Sequence, residues 1–397
     1  MIEAAGIVLV ALTLLVLVQA LFLLAQVLAS LPKRSRTEQL RNGPRPLVAV
    51  IIPAHNESTS IANTIGAIVP QLTNQDRLVV VADNCSDDTA AVAALSGAEV
   101  IVRRDYDHIG KGYALDYGIQ FIRRTGAPDV VIFIDADCEL APGSVDELAE
   151  MSFVHFRPVQ STNLVKASTA SGKSARIAEF AFKLNCYVRP LGSRRLGLAC
   201  RLTGTGMAFP WSIISSVELA TGHIAEDGKL CVNLAIAGFE TLFCPAAEVT
   251  SVFPEALRET RLQRMRWEHG HLQTIKTYVP RLFLNACRKK RLSLAALALD
   301  FSVPPLGLLN MIVVVLIGIA SLLAIAGFSA WIVYLTASTF CAFCLAIGLA
   351  WHRYGREIVS PRELLSAPEY VLSKVPMYWR FIFDRQVGWD KSELDKQ

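Results

Sequence analysis

Two long stretches of this 397-residue chain, positions 4–32 and 301–351, hold no Asp, Glu, Lys or Arg. Stretches this long without charge are not the surface of a soluble domain, where charged residues are the usual exterior. All 74 charged residues therefore fall in the other 317 positions, about 23% of them, close to the ~25% of soluble domains. A water-soluble body attached to membrane segments is implied by 52% hydrophobic residues and a mean hydropathy of +0.39. A disordered, collagen-like or wholly membrane-buried protein is excluded. The nine cysteines are odd in number and irregularly spaced, so they give no disulfide framework and fit a body in a reducing compartment. Cys341 and Cys344 form a Cys-x-x-Cys inside an apolar stretch without His or carboxylate, which favours helix packing over metal binding. No Gly-x-Gly-x-x-Gly or Walker-type Gly-x-x-x-x-Gly-Lys-Ser/Thr is present, which removes the main support for dinucleotide and P-loop sites. A net charge of +4 is too weak to suggest a nucleic-acid partner.

The first apolar run, residues 6–31, exceeds the ~20 residues that cross a bilayer as a helix. It is closed by Pro32 and the basic Lys33, Arg34 and Arg36. Its length and the basic cluster after it favour a retained anchor over a cleaved signal peptide. The second run divides at Gly327-Phe328-Ser329 into two spans, 304–326 and 330–351, as a hairpin. Basic residues flank the hairpin (Arg288 to Arg291 before it, Arg353 and Arg356 after it), whereas its turn has none. The positive-inside rule then puts both flanks in the cytoplasm. Three spans leave the polar body, residues 33–300, on that side.

That body opens with an alternating pattern. Apolar runs at 47–52, 78–82, 100–102 and 130–134 read as buried strands, each followed by a helical periodicity. The pattern predicts an α/β fold with a doubly wound, mostly parallel sheet and right-handed crossovers. Such sheets bind ligands beyond the carboxyl ends of their strands. Pro53-Ala54-His55-Asn56-Glu57 comes after the first strand, Asp83-Asn84-Cys85-Ser86-Asp87-Asp88 after the second, and Asp135-Ala136-Asp137 after the fourth. Carboxylates gathered at one sheet edge repel one another unless a cation or donor-rich ligand collects there. The Asx-rich turns also cap the next helices, which is part of the account of Ser86 to Asp88. Asp135 and Asp137 suit oxygen ligation of Mg2+ or Mn2+, with coordination positions left for a diphosphate. Gly110-Lys111-Gly112 opens a helix, where free N–H groups and the lysine can meet a phosphate or nucleobase oxygen.

These motifs, together with His108-Ile109-Gly110-Lys111-Gly112, Glu226-Asp227 and Gln263-Arg264-Met265-Arg266-Trp267, resemble the family 2 inverting glycosyltransferases of GT-A fold. The likeness is to the membrane-bound relatives of the cellulose, hyaluronan and ceramide-glucose synthases and covers residues 47–280. It implies that Glu57 and Asp83 contact the uracil and ribose of a UDP-sugar. Pro53, Ala54, Asn56, Asn84, Lys111, Ala136 and Gln263 would belong to the same donor site. Asp135 and Asp137 would bind the diphosphate and its metal, Asp227 would be the catalytic base beside Glu226, and Arg266 and Trp267 would sit at the diphosphate and acceptor end. Leu202-Thr203-Gly204-Thr205-Gly206-Met207 resembles the family's acceptor loop, which gives Gly204, Thr205, Gly206 and Trp267 to the acceptor. One departure is Ala225, where those synthases carry Thr before Glu-Asp. Without the resemblance, Glu226-Asp227 reads as acids at a helix start, and Trp267 as interface packing.

Between residues 255 and 291, ten basic residues face three acids, which suits an in-plane helix on an anionic inner leaflet. Residues 361–385 form a second amphipathic segment. The expected domains are an anchor (1–32), a basic linker (33–46), the catalytic domain (47–253), interfacial helices (254–300), a transmembrane hairpin (301–351) and a C-terminal amphipathic segment (352–397). The expected activity is metal-dependent sugar transfer to a membrane-associated acceptor, a glycolipid or polyprenyl-diphosphate-linked saccharide, at a bacterial inner membrane, with polysaccharide-assembly proteins as partners. A processive polysaccharide synthase and an inactive membrane scaffold are the alternatives.

Overall fold

The computed structural model describes residues 2–32, 43–167, 172–222, 225–253, 257–327 and 329–383, the side chains of 2–5, 257–262 and 380–383 excepted. Most of the expected basic linker, including Lys33, Arg34 and Arg36, lies outside the described residues, as does 384–397. The chain divides into two compact units.

The first unit comprises residues 34–168, 199–262 and 384–397. Its strands are β1 (Val48–Ala54), β2 (Arg77–Asp83), β3 (Glu99–Arg103), β4 (Val130–Phe133), β5 (Glu139–Leu140), β6 (Val159–Lys166), β7 (Met207–Pro210) and β8 (Leu242–Val252). They form one eight-stranded sheet in the order β3-β2-β1-β4-β7-β6-β8-β5. The four strands expected from the apolar runs pair in parallel, β1 lying between β2 and β4. The sheet as a whole is mixed, because β7 runs antiparallel to both β4 and β6, and β5 antiparallel to β8. The chain winds from β1 outward to β3 and then returns to the other side of β1 for β4. That reversal leaves a crevice at the carboxyl ends of β1, β2 and β4.

Packing explains why these elements form. Along β1, Val48, Val50 and Ile52 point to one face and join Ile61, Ile65 and Ile68 of the helix Ile61–Ile68 in a single core cluster. Each such isoleucine, fully buried, contributes roughly 1.5–3 kcal/mol. Ile51 and Val81 face the other way, against Gly118 of the helix Lys111–Thr125. That helix presents Ala114, Leu115, Ile119 and Ile122 inward, and so the sheet fixes the position of Lys111 at its start.

The second unit comprises residues 1–33, 169–198 and 263–383. Three of its helices, Gly6–Ser30, Leu306–Ile325 and Trp331–Gly355, are long and apolar enough to cross a membrane, at about the positions expected. The last two are joined at Gly327 as a hairpin. A polar network is buried between the first of these helices and the helices Arg189–Arg195 and Leu292–Ser302. Arg189 donates to Asp300 Oδ1 at 2.8 Å and to Gln26 Oε1 at 3.1 Å. Gln26 in turn donates to Ser193 Oγ and to Asp300 Oδ1, at 2.9 and 2.7 Å. The backbone approach here requires glycine: a Cβ on Gly192 would lie 1.9 Å from the Gln26 carbonyl oxygen.

Candidate functional site

The segments just beyond the parallel strands line the crevice. At the end of β2, Asp83 is buried, and its Oδ1 accepts from Arg103 Nη1 at 2.7 Å. Burial pushes the Asp83 carboxyl up from its ordinary value, while the Arg103 bond and charge oppose the rise. Arg103 also donates to Asp105 Oδ2 at 2.9 Å and to the His108 carbonyl at 2.8 Å. Asn84, in the left-handed region at φ 52°, exchanges bonds with the Asp105 backbone: its Oδ1 accepts from Asp105 N at 2.8 Å and its Nδ2 donates to Asp105 O at 3.0 Å.

Pro53 and Ala54 end β1 beside Val81 and Ala82. Asn56, also left-handed at φ 54°, accepts from Ser86 N at 2.8 Å, and Glu57 N donates to Thr89 Oγ1 at 2.8 Å. Burial raises the Glu57 carboxyl, with further pushes from the charges of Asp137 and Asp135. Glu57 thus shares one electrostatic neighbourhood with the Asp-x-Asp residues. Asp87, in contrast, acts as a local cap: despite some desolvation, donors from Thr89 and Ser58 hold it down at about 2.

Lys111 sits at the centre. Its Nζ pairs with Asp135 Oδ1 and donates to the Gly204 carbonyl at 2.9 Å. Burial would lower its pKa, but the charges of Asp135, Glu226 and Asp227 more than compensate and hold the ammonium charged. Glu226 and Asp227 begin the helix Glu226–Ala237. Burial pushes Glu226 up to about 7, with Lys111 opposing and the Asp227 charge adding to the rise. Burial also raises Asp227, whose Oδ1 accepts from Gly228 N at 2.7 Å. Behind the two carboxylates is a cavity of about 20 Å3, lined in part by Gly112, Glu226, Asp227 and Asn233, room for one water.

The segment 203–206 closes this side of the crevice. A side-chain atom placed on Gly204 would lie 3.6 Å from Lys111 Nζ and 3.9 Å from Asp227 Oδ2. Lysine, base candidate and loop therefore meet around one small space. Thr205 Oγ1 accepts from Asp135 N at 3.0 Å. Gly206 has φ +65°, and a Cβ there would fall 1.8 Å from Ser161 Oγ, so a side chain there is strained and must displace that of Ser161. From β6, Gln160 accepts from Thr203 N at 2.9 Å and donates to Thr205 O at 2.8 Å, and Asn163 donates to Thr203 O at 3.1 Å.

Asp135 and Asp137 come after β4, with the Ala136 carbonyl between them accepting from Thr64 Oγ1 at 2.8 Å. One ligand atom from each of Asp135, Asp137 and Cys138 lies within 4.8 Å of the others. Asp137 is exposed at the crevice mouth, yet its reduced solvation among crowded protein atoms, and then the Asp135 charge, push its pKa up. Burial keeps the Cys138 thiol protonated. Two carboxylates beside a protonated thiol make a hard oxygen donor set with room for further ligands. That fits Mg2+ or Mn2+ rather than zinc.

The structure therefore assembles Pro53, Ala54, Asn56, Glu57, Asp83, Asn84, Lys111, Asp135, Ala136, Asp137, Gly204, Thr205, Gly206, Glu226 and Asp227 in the sheet unit. Gln263, Arg266 and Trp267 belong to the helical unit, on the helix Leu257–Lys289. There Trp267 packs its ring 5.3 Å from that of Phe182. Gln263 Oε1 is a buried acceptor without a partner among the described residues. Sequence reasoning passed over Arg103, Gln160 and Asn163. The acidic strand ends drew attention, and the basic end of β3, the position that neutralises Asp83, did not.

Comparison with known proteins bears on this assembly. Residues 44–270, more than half of the chain, match the model of a family described as glycosyltransferase like family 2. A probable glycosyltransferase of Bacillus subtilis, YdaM, is 28% identical over 256 residues, covering 60% of this chain and 58% of that one. The poly-beta-1,6-N-acetyl-D-glucosamine synthase of Staphylococcus aureus is 23% identical over 260 residues, 64% and 60% of the two chains. The match thus spans less than two thirds of the length of these relatives. A mannosyltransferase from Pyrobaculum calidifontis, solved with GDP-Man and Mn2+, superposes with a TM-score of 0.55 at 16% identity, covering 97% of this chain and 100% of that one. At this identity the likeness is one of fold.

Proposed function

The chain belongs to glycosyltransferase like family 2 and has the GT-A fold, and from that premise we propose that it is an inverting glycosyltransferase. It moves a sugar from a UDP-sugar to a membrane-associated acceptor, a glycolipid or lipid-linked saccharide, at the cytoplasmic face of a bacterial inner membrane. Residues 47–253 are its catalytic domain. The observation that carries the reading is the meeting of Lys111, Asp135, Gly204 and Asp227 around one space at the carboxyl ends of the strands.

Asp227 takes the proton of the acceptor hydroxyl as its oxygen bonds to the anomeric carbon, and the bond from that carbon to the diphosphate breaks on the opposite face. The nucleoside diphosphate leaves with the electron pair. Burial keeps the Asp227 pKa high enough for it to act as a base near neutral pH. Asp83, fixed by Arg103, and Glu57 hold the nucleoside end. Lys111 keeps Asp135 and the loop carbonyl of Gly204 in place and offsets part of the carboxylate repulsion. A divalent ion held by Asp135 and Asp137 would neutralise charge on the diphosphate. Gln263, Arg266 and Trp267 are assigned to the diphosphate and acceptor end, where a guanidinium suits two phosphate oxygens. Polysaccharide-assembly proteins are the expected partners.

The likeness to a poly-N-acetylglucosamine synthase makes an N-acetylglucosamine nucleotide the first donor to try, and favours processive synthesis as the second reading. UDP release by the purified protein with Mn2+, followed by gel sizing of the product, separates the two. One added sugar fits the reading above and a long polymer the second, while no turnover with any donor means an inactive scaffold.

A further inference from the structure

Within the helical unit, the helix Leu257–Lys289 is gripped just after its stretch Gln263 to Trp267 by residues more than a hundred positions later in the chain. Glu268 Oε1 accepts from the Lys374 ammonium and Oε2 from the Tyr378 hydroxyl. One residue on, His269 Nε2 donates to the Met377 carbonyl at 3.3 Å. Lys374 and Tyr378 are four positions apart, and Tyr378 N donates to Lys374 O at 3.2 Å, so their side chains share one face of a helical turn. The Glu268 and Lys374 side chains are only 13% and 15% exposed. Burial works against the Lys374 charge, and Tyr370, whose ring centre is 4.7 Å from Nζ, and Glu268 outweigh it.

A tether for the C-terminal segment does not call for this arrangement. That segment is already tied to the helix Lys173–Lys183: Arg176 Nε donates to Glu363 Oε1 at 2.9 Å and Lys173 Nζ to Glu369 Oε2 at 2.8 Å. What the third pair adds is a hold on the residue next to Trp267, whose ring is backed by Phe182 of that same helix. An ion pair taken out of water loses in desolvation much of what it gains in attraction, so its yield is fixed geometry more than stability. The geometry matters because a turn of roughly 10° about the helix axis moves a side-chain end, about 6 Å out, by about 1 Å. Displacement of that size can cost ~10²-fold in rate. We propose that Glu268, clasped by Lys374 and Tyr378, is a positioning residue that fixes the rotation of this helix and with it the placement of Arg266 and Trp267. The role rests on the function proposed above, whereas the clasp itself does not.

The test is steady-state UDP release by the full chain in detergent with Mn2+ and UDP-N-acetylglucosamine as the first donor, beside hydrogen exchange of the peptide 263–269. Lys374→Met should speed exchange in that peptide and lower kcat about 10–100-fold. The donor KM should stay within about twofold, because charge on the diphosphate grows in the transition state. Tyr378→Phe, which keeps the ring and loses one hydrogen bond, should lower kcat about threefold. Exchanging the pair, Glu268→Lys with Lys374→Glu, should restore most of the loss. Glu363→Gln loosens the segment from the helix Lys173–Lys183 alone, and should lower the melting temperature while leaving kcat within about twofold. A fall in kcat no larger for Lys374→Met than for Glu363→Gln, or a rise in KM alone, would overturn the proposal and leave sugar transfer standing. If Lys374→Met does not fold, unchanged kcat in Tyr378→Phe would do the same. No UDP release by the wild type with any donor would sink the positioning role together with the function it rests on, even where exchange shows the clasp holding its peptide.

Discussion

Among the described residues, two of the buried charge groups, one in each unit, are built oppositely. In the helical unit, Arg189 and Asp300 are matched one to one, with Gln26 and Ser193 completing the bonds. In the sheet unit, Lys111 serves Asp135, Glu226 and Asp227, with the Arg201 charge adding to it at Asp227, and burial nevertheless raises Glu226 and Asp227. A matched set is finished as it stands and holds helices together. An excess of carboxylate is unfinished, and what completes it is a ligand or a proton.

The comparison can be broken most severely at the base. Asp227→Asn should lower sugar transfer or UDP release by about 10²–10⁴-fold with little change in melting temperature, because it removes a charge from an overcrowded site. Equal turnover in the two proteins would reject the base assignment. Arg189→Met should do the opposite: a strong loss of stability, about 3–5 kcal/mol, from an uncompensated buried charge. The double variant Arg189→Met with Asp300→Leu should recover much of that in a detergent melt.

Glu226 sharpens the contrast through pH. Its folded pKa near 7 against an ordinary 4.5 means that, between those values, the folded chain holds a proton the unfolded chain has lost. Stability due to that proton fades as pH rises through about 7. Glu226→Gln should therefore raise the melting temperature at pH 8 and leave it nearly unchanged at pH 4. The smallest effect expected is that of Gly206→Ala, whose Cβ meets Ser161. Overpacking of about 1–3 kcal/mol should appear as a lower melting temperature and a displaced 203–206 loop.

The finished and unfinished sets differed in how readable they were. Parallel strands buried on both faces write themselves as apolar runs, so 47–52, 78–82 and 130–134 pointed to β1, β2 and β4, and their acidic ends to the crevice. The strand β6 was invisible because its central residues, Gln160 to Asn163, are polar yet buried, holding the glycine loop instead of filling a core. The Arg189 network left no local pattern, since its members are separated by up to 274 positions and only packing of the helices brings them together. Carboxylates grouped after strands are a local signal, whereas a matched pair across helices is not.

The central claim is that Asp135 and Asp137 form the metal-binding half of the unfinished set, to be completed by a metal and a nucleoside diphosphate together. Electron paramagnetic resonance of Mn2+ titrated into the full chain with UDP tests it directly, without any choice of sugar or acceptor. The account predicts that free Mn2+ signal is lost on adding protein and UDP, that Asp137→Asn restores most of it, and that Asp87→Asn does not. Mn2+ uptake unaffected by Asp137→Asn would contradict it.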